Sequence, residues 1–152
     1  MAAPTVVQSL AGTTLAISAA IPATYDGTAY AALTYTPIGE IENHGTHGMT
    51  AVITEFTPVD TAVVTKVKGS KNYGTKTMTL GSVPSQAGQV LLDEAAESNN
   101  HYSVKMTYPS GAIHFLDVLV AKAEYIDGAV NDVQKRSFDF AVCRRPVVVE
   151  AV

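Results

Sequence analysis

The chain has 152 residues, 47% hydrophobic and 16% charged, which fits one folded domain and excludes a chain that is disordered throughout. Ten Lys and Arg against fourteen Asp and Glu give a net charge of −4, which excludes the basic surface of a protein that grips nucleic acid. In a typical globular chain about a quarter of the residues are charged. The smaller charged fraction of this chain predicts that some apolar surface meets a partner.

The sequence also argues against a disulfide scaffold and a membrane protein. Cys143 is the single cysteine, and the apolar runs are broken well before the roughly 20 residues that a membrane helix needs, so we expect a soluble protein. No Lys or Arg precedes the first apolar run, so we expect a protein that does not use Sec export. Repeats of about 20–50 residues are absent, which predicts a single domain over residues 1–152.

Apolar and polar residues alternate over much of the chain, in segments rich in Thr, Val, Ile and Tyr. A period of two is typical of half-buried strands, so the sequence predicts a mainly β protein of the α+β class. Pro37 has no backbone N–H, which places its strand at a sheet edge. Turns are predicted at residues 25–28, 58–60, 109–111 and 127–128. The predicted strands are residues 13–18, 33–42, 49–57, 61–68, 76–80, 102–108, 113–125 and 130–143.

A helical period of 3.6 occurs once, between residues 84 and 100, and predicts one helix of about three turns. Such a helix is too short to be stable alone, so its apolar stripe is expected to pack on the sheet. Its carboxylates, Asp93, Glu94 and Glu97, are interpreted as a solvated face.

Three segments are predicted to lie outside the main body of the domain. Residues 43–73 form a hairpin excursion with small, polar flanks, which we expect to be mobile in an isolated subunit and ordered against a partner. Residues 1–10 and 146–152 are β-prone terminal arms, which we expect to contact neighbouring copies. Arg144 and Arg145 are expected to form ion pairs with an acidic neighbour across a subunit contact.

The four histidines are the first residues to consider for metal or acid–base chemistry. His44 and His47 lie in a Gly-flanked loop, but a metal would need a third ligand from His101, His114 or Glu42, so a polar turn is the favoured interpretation. The spacing of His114 and Asp117 suggests a His/Asp pair, yet no nucleophile motif accompanies it. Residues 69–76 lack the strand-to-helix context of a phosphate-binding loop. We therefore predict no enzyme, no catalytic or metal residues and no cofactor.

Several short motifs occur in a characteristic order along nearly the whole chain. They are residues 12–15, 77–80, 86–92, 102–105 and 109–111, followed by Phe115, Val133, Arg136 and Arg145-Pro146. In this order and spacing the chain resembles the major tail tube proteins of lambda-like bacteriophages, the siphophages with long, non-contractile tails. Two features depart from that pattern: the sequence stops shortly after Pro146, so we expect it to lack the additional C-terminal immunoglobulin-like domain that some members carry, and its central loop is less acidic than the lambda type.

The resemblance implies a phage tail-tube fold, a two-sheet β-sandwich or partly open barrel with one flanking helix. It implies hexameric rings that stack into the tail tube of a virion, assembled in the host cytoplasm, through which genome DNA passes without specific binding. The implied partners are other copies of the chain, the tape measure protein, the tail tip or distal tail proteins and the tail terminator. Alternatives are a tail terminator or head-tail joining protein, a tube component of a contractile injection or type VI secretion system, and a small-molecule-binding β-barrel.

Two sets of residues are expected to serve such an assembly. The acidic residues expected to face the lumen are Glu40, Glu42, Glu55 and Asp60. The residues expected at contacts between subunits or rings are Gly48, Phe56, Tyr73, Arg144, Arg145 and Val148.

Overall fold

A computed structural model describes residues 4–150, which form ten strands and two helices. The strands are β1 (Thr14–Ser18), β2 (Thr36–Ile38), β3 (Ile41–Asn43), β4 (Thr50–Phe56), β5 (Thr65–Asn72), β6 (Thr75–Gly81), β7 (Tyr102–Thr107), β8 (Ile113–Ile126), β9 (Lys135–Val142) and β10 (Val147–Val149). The helices are α1 (Gly27–Ala31) and α2 (Ala87–Glu97). The mainly β class is thus confirmed, as is the helix predicted between residues 84 and 100.

One antiparallel sheet holds eight of these strands in the order β2-β1-β7-β8-β9-β6-β3, with β10 beside the first residues of β8. The two edge strands, β2 and β3, are separated in sequence only by Gly39 and Glu40. Consecutive Cα atoms are about 3.8 Å apart, so the two edges lie within about 11 Å of each other. The sheet therefore curls into a partly open barrel.

The strand predicted over residues 33–42 is wrong, because this segment contributes to both edges of the sheet. Pro37 lies on β2, at the edge that its missing N–H favours. Glu40 then adopts a left-handed conformation, with φ of 61°, and its carbonyl accepts a hydrogen bond from the Gly81 N–H at 2.8 Å. This turn directs the chain from β2 to β3.

The core fills the barrel with alternate residues of the strands, closed on one side by α2. Gln89 fixes the start of α2, because its side chain accepts from the Val83 N–H at 3.0 Å and donates to the Gly81 carbonyl at 2.9 Å. Gly88 allows close packing, since a Cβ there would clash with the Pro37 carbonyl. The most deeply buried apolar residues are Ile17, Met78, Leu80, Leu92, Ala95, Val104, Leu116, Val118, Phe138 and Phe140.

The predicted turn at residues 25–28 is wrong, because it begins the short helix α1. Asp26 is its N-cap and accepts from the Ala29 N–H at 2.7 Å, which stabilises the first turn and lowers the pKa of this carboxyl. The helix packs on the outer face of β8, where the rings of Tyr30 and Phe115 stack with centroids 5.2 Å apart. An Asp-Gly pair is compatible with a turn and with a helix start alike, so the sequence did not separate them.

Two later segments also differ from prediction. β9 begins at Lys135 rather than at residue 130, because residues 127–134 form a loop in which Asp132 accepts from the Ala129 N–H at 2.7 Å. Residues 147–149 are not a free arm, since they form β10 and pair with β8 of the same chain. Residues 1–3 and 151–152 of the predicted arms lie outside the described residues.

Neither helix within residues 4–150 is long and apolar enough to cross a membrane.

An ion pair connects α2 to the sheet through Asp93, whose carboxylate is half-exposed and was predicted only as part of a solvated face. Arg136 on β9 makes two hydrogen bonds to Asp93, at 2.6 and 2.7 Å. Its guanidinium lies 4.2 Å from the Tyr125 ring centroid and 4.7 Å from that of Phe138. The bond to Asp93 raises the pKa of Arg136, so the guanidinium is a fixed, almost fully buried charge.

Removing this carboxylate is expected to destabilise the fold. Asp93→Ala leaves the buried guanidinium without its partner, and we expect a loss of about 2–4 kcal/mol in the free energy of unfolding, measured by urea denaturation. Glu94→Ala, at the exposed neighbouring position, is the control and is expected to change it by less than about 0.5 kcal/mol. An equal effect of the two substitutions would contradict the structural role of the pair.

Candidate assembly surface

The predicted hairpin is present as a separate two-stranded sheet of β4 and β5, almost all of it exposed. β5 begins at Thr65 rather than at residue 61, because residues 57–64 form a loop in which Ala62 has φ of 55°. A two-stranded hairpin without a core is at best marginally stable in water. This segment therefore gains little stability from its own chain.

The register makes the hairpin two-faced. Thr54 pairs with Val67 and Phe56 with Thr65, so these side chains share one face with Val52. That face is apolar apart from its two threonines and covers no other part of residues 4–150. An exposed apolar face of this kind marks an interaction surface.

The opposite face of the hairpin is charged. Glu55 lies directly opposite Lys66, and Ile53 opposite Lys68. Opposite charges facing each other across strands favour this register. Glu55, predicted to be part of an acidic lumen, thus has lysines as its neighbours.

The tip of the hairpin combines apolar side chains with an acid. Phe56 is 63% exposed and Val59 is 99% exposed. Asp60 lies beside Val59 and accepts from the Thr61 N–H at 3.0 Å, which shapes the loop. The tip is an apolar surface that carries a negative charge.

A groove of about 510 Å³ lies at the root of the hairpin, between β5, the start of β8 and the C-terminal strand β10. Lys71 and Arg145 supply positive charge, and neither has an ion-pair partner among residues 4–150. The apolar wall includes Met49, Pro146 and Val148. The predicted contact residues that line this groove are Gly48, Tyr73, Arg145 and Val148.

The other predicted contact residues lie elsewhere. Phe56 is at the far end of the hairpin, and Arg144 is bound within its own chain. The Arg144 Nε donates to Asp117 at 3.1 Å, and its guanidinium stacks on Tyr25 at 3.9 Å. Arg144 is thus bonded within its own chain, and its contact with a neighbouring subunit stays a prediction.

The His/Asp pair that the spacing of His114 and Asp117 suggested is not formed, because His101 Nδ1 is the imidazole atom that approaches Asp117, at 3.1 Å. Neighbours along a strand point to opposite faces, and residues 114 and 117 are an odd number apart. The buried carboxylate of Asp117 thus lies between the His101 imidazole and the Arg144 guanidinium and has a structural role.

A basic cluster lies behind the groove. His47 Nε2 is 2.8 Å from His114 Nδ1, so the imidazole that meets His47 is His114 and not His44. Lys76 is fully buried, and its Nζ has the Met106 sulfur as its hydrogen-bond partner at 3.6 Å. Burial lowers the pKa of Lys76 to about 8 and that of His47 to about 4.

Within residues 4–150 no three His, Cys, Asp or Glu side chains are grouped to hold a metal ion.

The predicted acidic residues do not form one cluster. Glu42 makes an ion pair with Lys135 at 2.7 Å, next to the barrel junction that contains Glu40. Glu55 and Asp60 lie on the hairpin, in the strand β4 and at the tip respectively. Any channel that all four line must be completed by several copies of the chain.

Comparisons with known proteins identify the fold. No family model matches the chain, and no curated protein matches it. A chain of the anti-feeding prophage baseplate, solved with six-fold symmetrisation, superposes with a TM-score of 0.67 at 11% identity, over 99% of both chains. A chain of the sheath/tube terminator of PVC, an extracellular contractile injection system, gives 0.64 at 8% identity, over 95% of this chain and 97% of that one.

The tail tube of SPP1 gives a TM-score of 0.59 at 15% identity, over 92% of this chain and 77% of that chain. At these identities the likeness concerns the fold, and the expected tail-tube fold is confirmed.

Proposed function

We propose that this chain is a structural subunit of a tail-type tube, in which six copies close a ring and rings stack around a channel that DNA traverses. The observation that carries the proposal is the apolar face of the β4–β5 hairpin, which extends from the barrel and has no cover within residues 4–150. The fold shared with tube and terminator proteins supports it.

The contact that we propose places the hairpin tip of one copy in the root groove of the next. Six residues separate the root pair Thr50–Asn72 from the last pair Phe56–Thr65, so the hairpin is about 20 Å long. A tip at that distance does not reach the groove at its own root. Asp60 at the tip complements Lys71 and Arg145 in the groove.

A contact between two different surfaces is heterologous, and repetition of it produces a ring or an open helical array. This geometry suits a tube built from one subunit. The acidic residues Glu40, Glu42 and Glu55 remain the proposed lining of the channel, where negative charge would keep DNA phosphates from binding. Asp60, also expected to face the lumen, is assigned to the groove contact instead.

A second candidate function is that of a tube terminator or a tube component in a contractile injection system. The observation that favours it is coverage, since the baseplate and terminator chains match over 97–99% of their length, against 77% for the SPP1 chain. Both functions use the same ring, but a terminator caps a tube instead of extending it.

Negative-stain electron microscopy of the concentrated full chain, with light scattering for the mass, tests the proposal. Tubes support a tube subunit, whether of a tail or of a contractile injection system, and single rings that do not stack support the terminator. A monomer at high concentration that also fails to join tubes seeded with tail-tip components would refute both.

A further inference from the structure

The root of the hairpin is tied to the main sheet by a pair of imidazole rings. Residues 44–49 lead from β3 into β4, and among them His47 meets His114 of β8, with its Nε2 2.8 Å from the Nδ1 of His114. The two rings meet edge to face, with centroids 5.0 Å apart. Among the side-chain hydrogen bonds of residues 4–150, this is the one that joins residues 44–72 to a strand distant in sequence, since the bonds from Gly45 to Asn43 and from Gly74 to Asn72 are local.

A hydrogen bond between two imidazoles requires one nitrogen to donate and the other to accept. The bond exists when both rings are neutral or when only one is protonated. When both rings are protonated, two N–H groups face each other and two positive charges lie close together. The geometry of His47 and His114 is therefore incompatible with a doubly protonated pair.

The surroundings add positive charge to this constraint. Burial and the ammonium of Lys76 both lower the pKa of His47. Burial also lowers the pKa of His114, and the carboxylate of Glu150 partly offsets this by raising it. His44 belongs to the same cluster, and its Nδ1 is buried without a hydrogen-bond partner within residues 4–150. The titratable and charged groups around the pair are His44, Lys71, Lys76, Tyr108, Arg145 and Glu150.

We propose that His47 and His114 form a proton-operated latch, which holds the hairpin root on the sheet while one ring is neutral and releases it when both are protonated. A histidine whose pKa is lowered in the closed form stabilises that form fully above pH 6.5, and this stabilisation is lost as the pH falls from 6.5 towards 4. Release allows residues 44–49 to move. The hairpin of β4 and β5, which follows them, can then change its direction relative to the main sheet. The latch is a property of one subunit and does not depend on the proposed tube.

Hydrogen exchange followed by mass spectrometry between pH 7 and pH 4 tests the latch on the full chain, at a concentration at which it is monomeric. The protection of residues 44–49 is expressed relative to that of β7 in the same sample, so that the intrinsic pH dependence of exchange cancels. The wild type is expected to lose relative protection below pH 6.5, by up to about tenfold for each pH unit.

Two glutamine variants make the test specific. The double variant His47→Gln/His114→Gln has no titrating ring at the latch, so its relative protection is expected to change little with pH, whereas His101→Gln removes a histidine outside the cluster and is expected to keep the wild-type slope. A wild-type profile that does not change with pH, or a wild-type slope that persists in the double variant, would overturn the proposal. If the double variant does not fold, His47→Gln is used instead, and an undiminished slope in it would overturn the proposal.

Discussion

Replacement of residues 51–71 by Asn-Gly is expected to give a folded subunit that forms no tubes. Thr50 and Asn72 are cross-strand partners, so a two-residue turn closes the gap that the deletion leaves. The hairpin packs little against the barrel, and the fold should therefore keep its thermal midpoint within a few degrees. The measurement is circular dichroism for folding and electron microscopy for assembly.

The expected loss of assembly is complete because the variant lacks the tip, the apolar face and Lys71 of the groove together. A milder variant, Phe56→Ser with Val59→Ser, removes the apolar tip alone and should raise the concentration needed for assembly at least about tenfold. Its matched control is Val130→Ser with Val133→Ser, which removes two exposed valines from the loop before β9 and is expected to assemble normally. Normal tubes from the hairpin replacement would disprove the role of the hairpin.

Substitution of Lys76 by Met is expected to stabilise the subunit by about 2 kcal/mol at pH 7. The ammonium of Lys76 is fully buried and has a thioether as its hydrogen-bond partner, so the folded state pays the cost of desolvating a charge. Met has similar volume and no charge, and it retains the packing against Met106. The measurement is urea denaturation of both proteins at several pH values.

The pH dependence distinguishes a charge effect from better packing. The pKa of Lys76 is about 8 in the folded chain against an ordinary value of 10.5, so between these values the unfolded chain binds more protons and wild-type stability rises with pH. The advantage of Lys76→Met should shrink over pH 8–9.5. Above pH 10 the stability of both proteins is expected to fall as the pH rises, because burial raises the pKa of Tyr35 to about 12.

Lys105→Met is the control for this substitution, since Lys105 lies half-buried on β7 of the same sheet. Lys105→Met is expected to change the free energy of unfolding by less than about 0.5 kcal/mol at any pH between 7 and 9.5. A Lys76→Met protein that is less stable than the wild type would show that the buried ammonium has a partner of its own.

Local patterns in the sequence were sufficient for most of the sheet. The alternation at residues 76–80 and 102–108 corresponds to β6 and β7, because each of these strands has one buried and one more exposed face. The hairpin was also predicted, although its second strand begins four residues later than expected. Strand order was not accessible, since β1 pairs with β7 more than 80 residues away.

The contacts that define the site were the least predictable part. His44 and His47 suggested a pair because they are close in sequence, whereas the partner of His47 lies 67 residues further along the chain. The same reason explains why Asp93 was taken for a surface acid, since Arg136 meets it only after α2 packs on β9. One signal was available in the sequence. Lys76 alternates in step with Met78 and Leu80, the apolar residues of this strand, which indicates that its charge is buried with them.

The strand order also determines when a newly synthesised chain can fold. β1 is near the N-terminus but pairs with β7, and β7 depends on β8, whose other neighbours are β9 and β10 near the end of the described chain. The β4–β5 hairpin consists of local contacts and can form as soon as it leaves the ribosome, whereas the barrel waits for residue 142. Its apolar face is thus presented before the barrel exists, and the yield of folded subunit depends on how long that interval lasts.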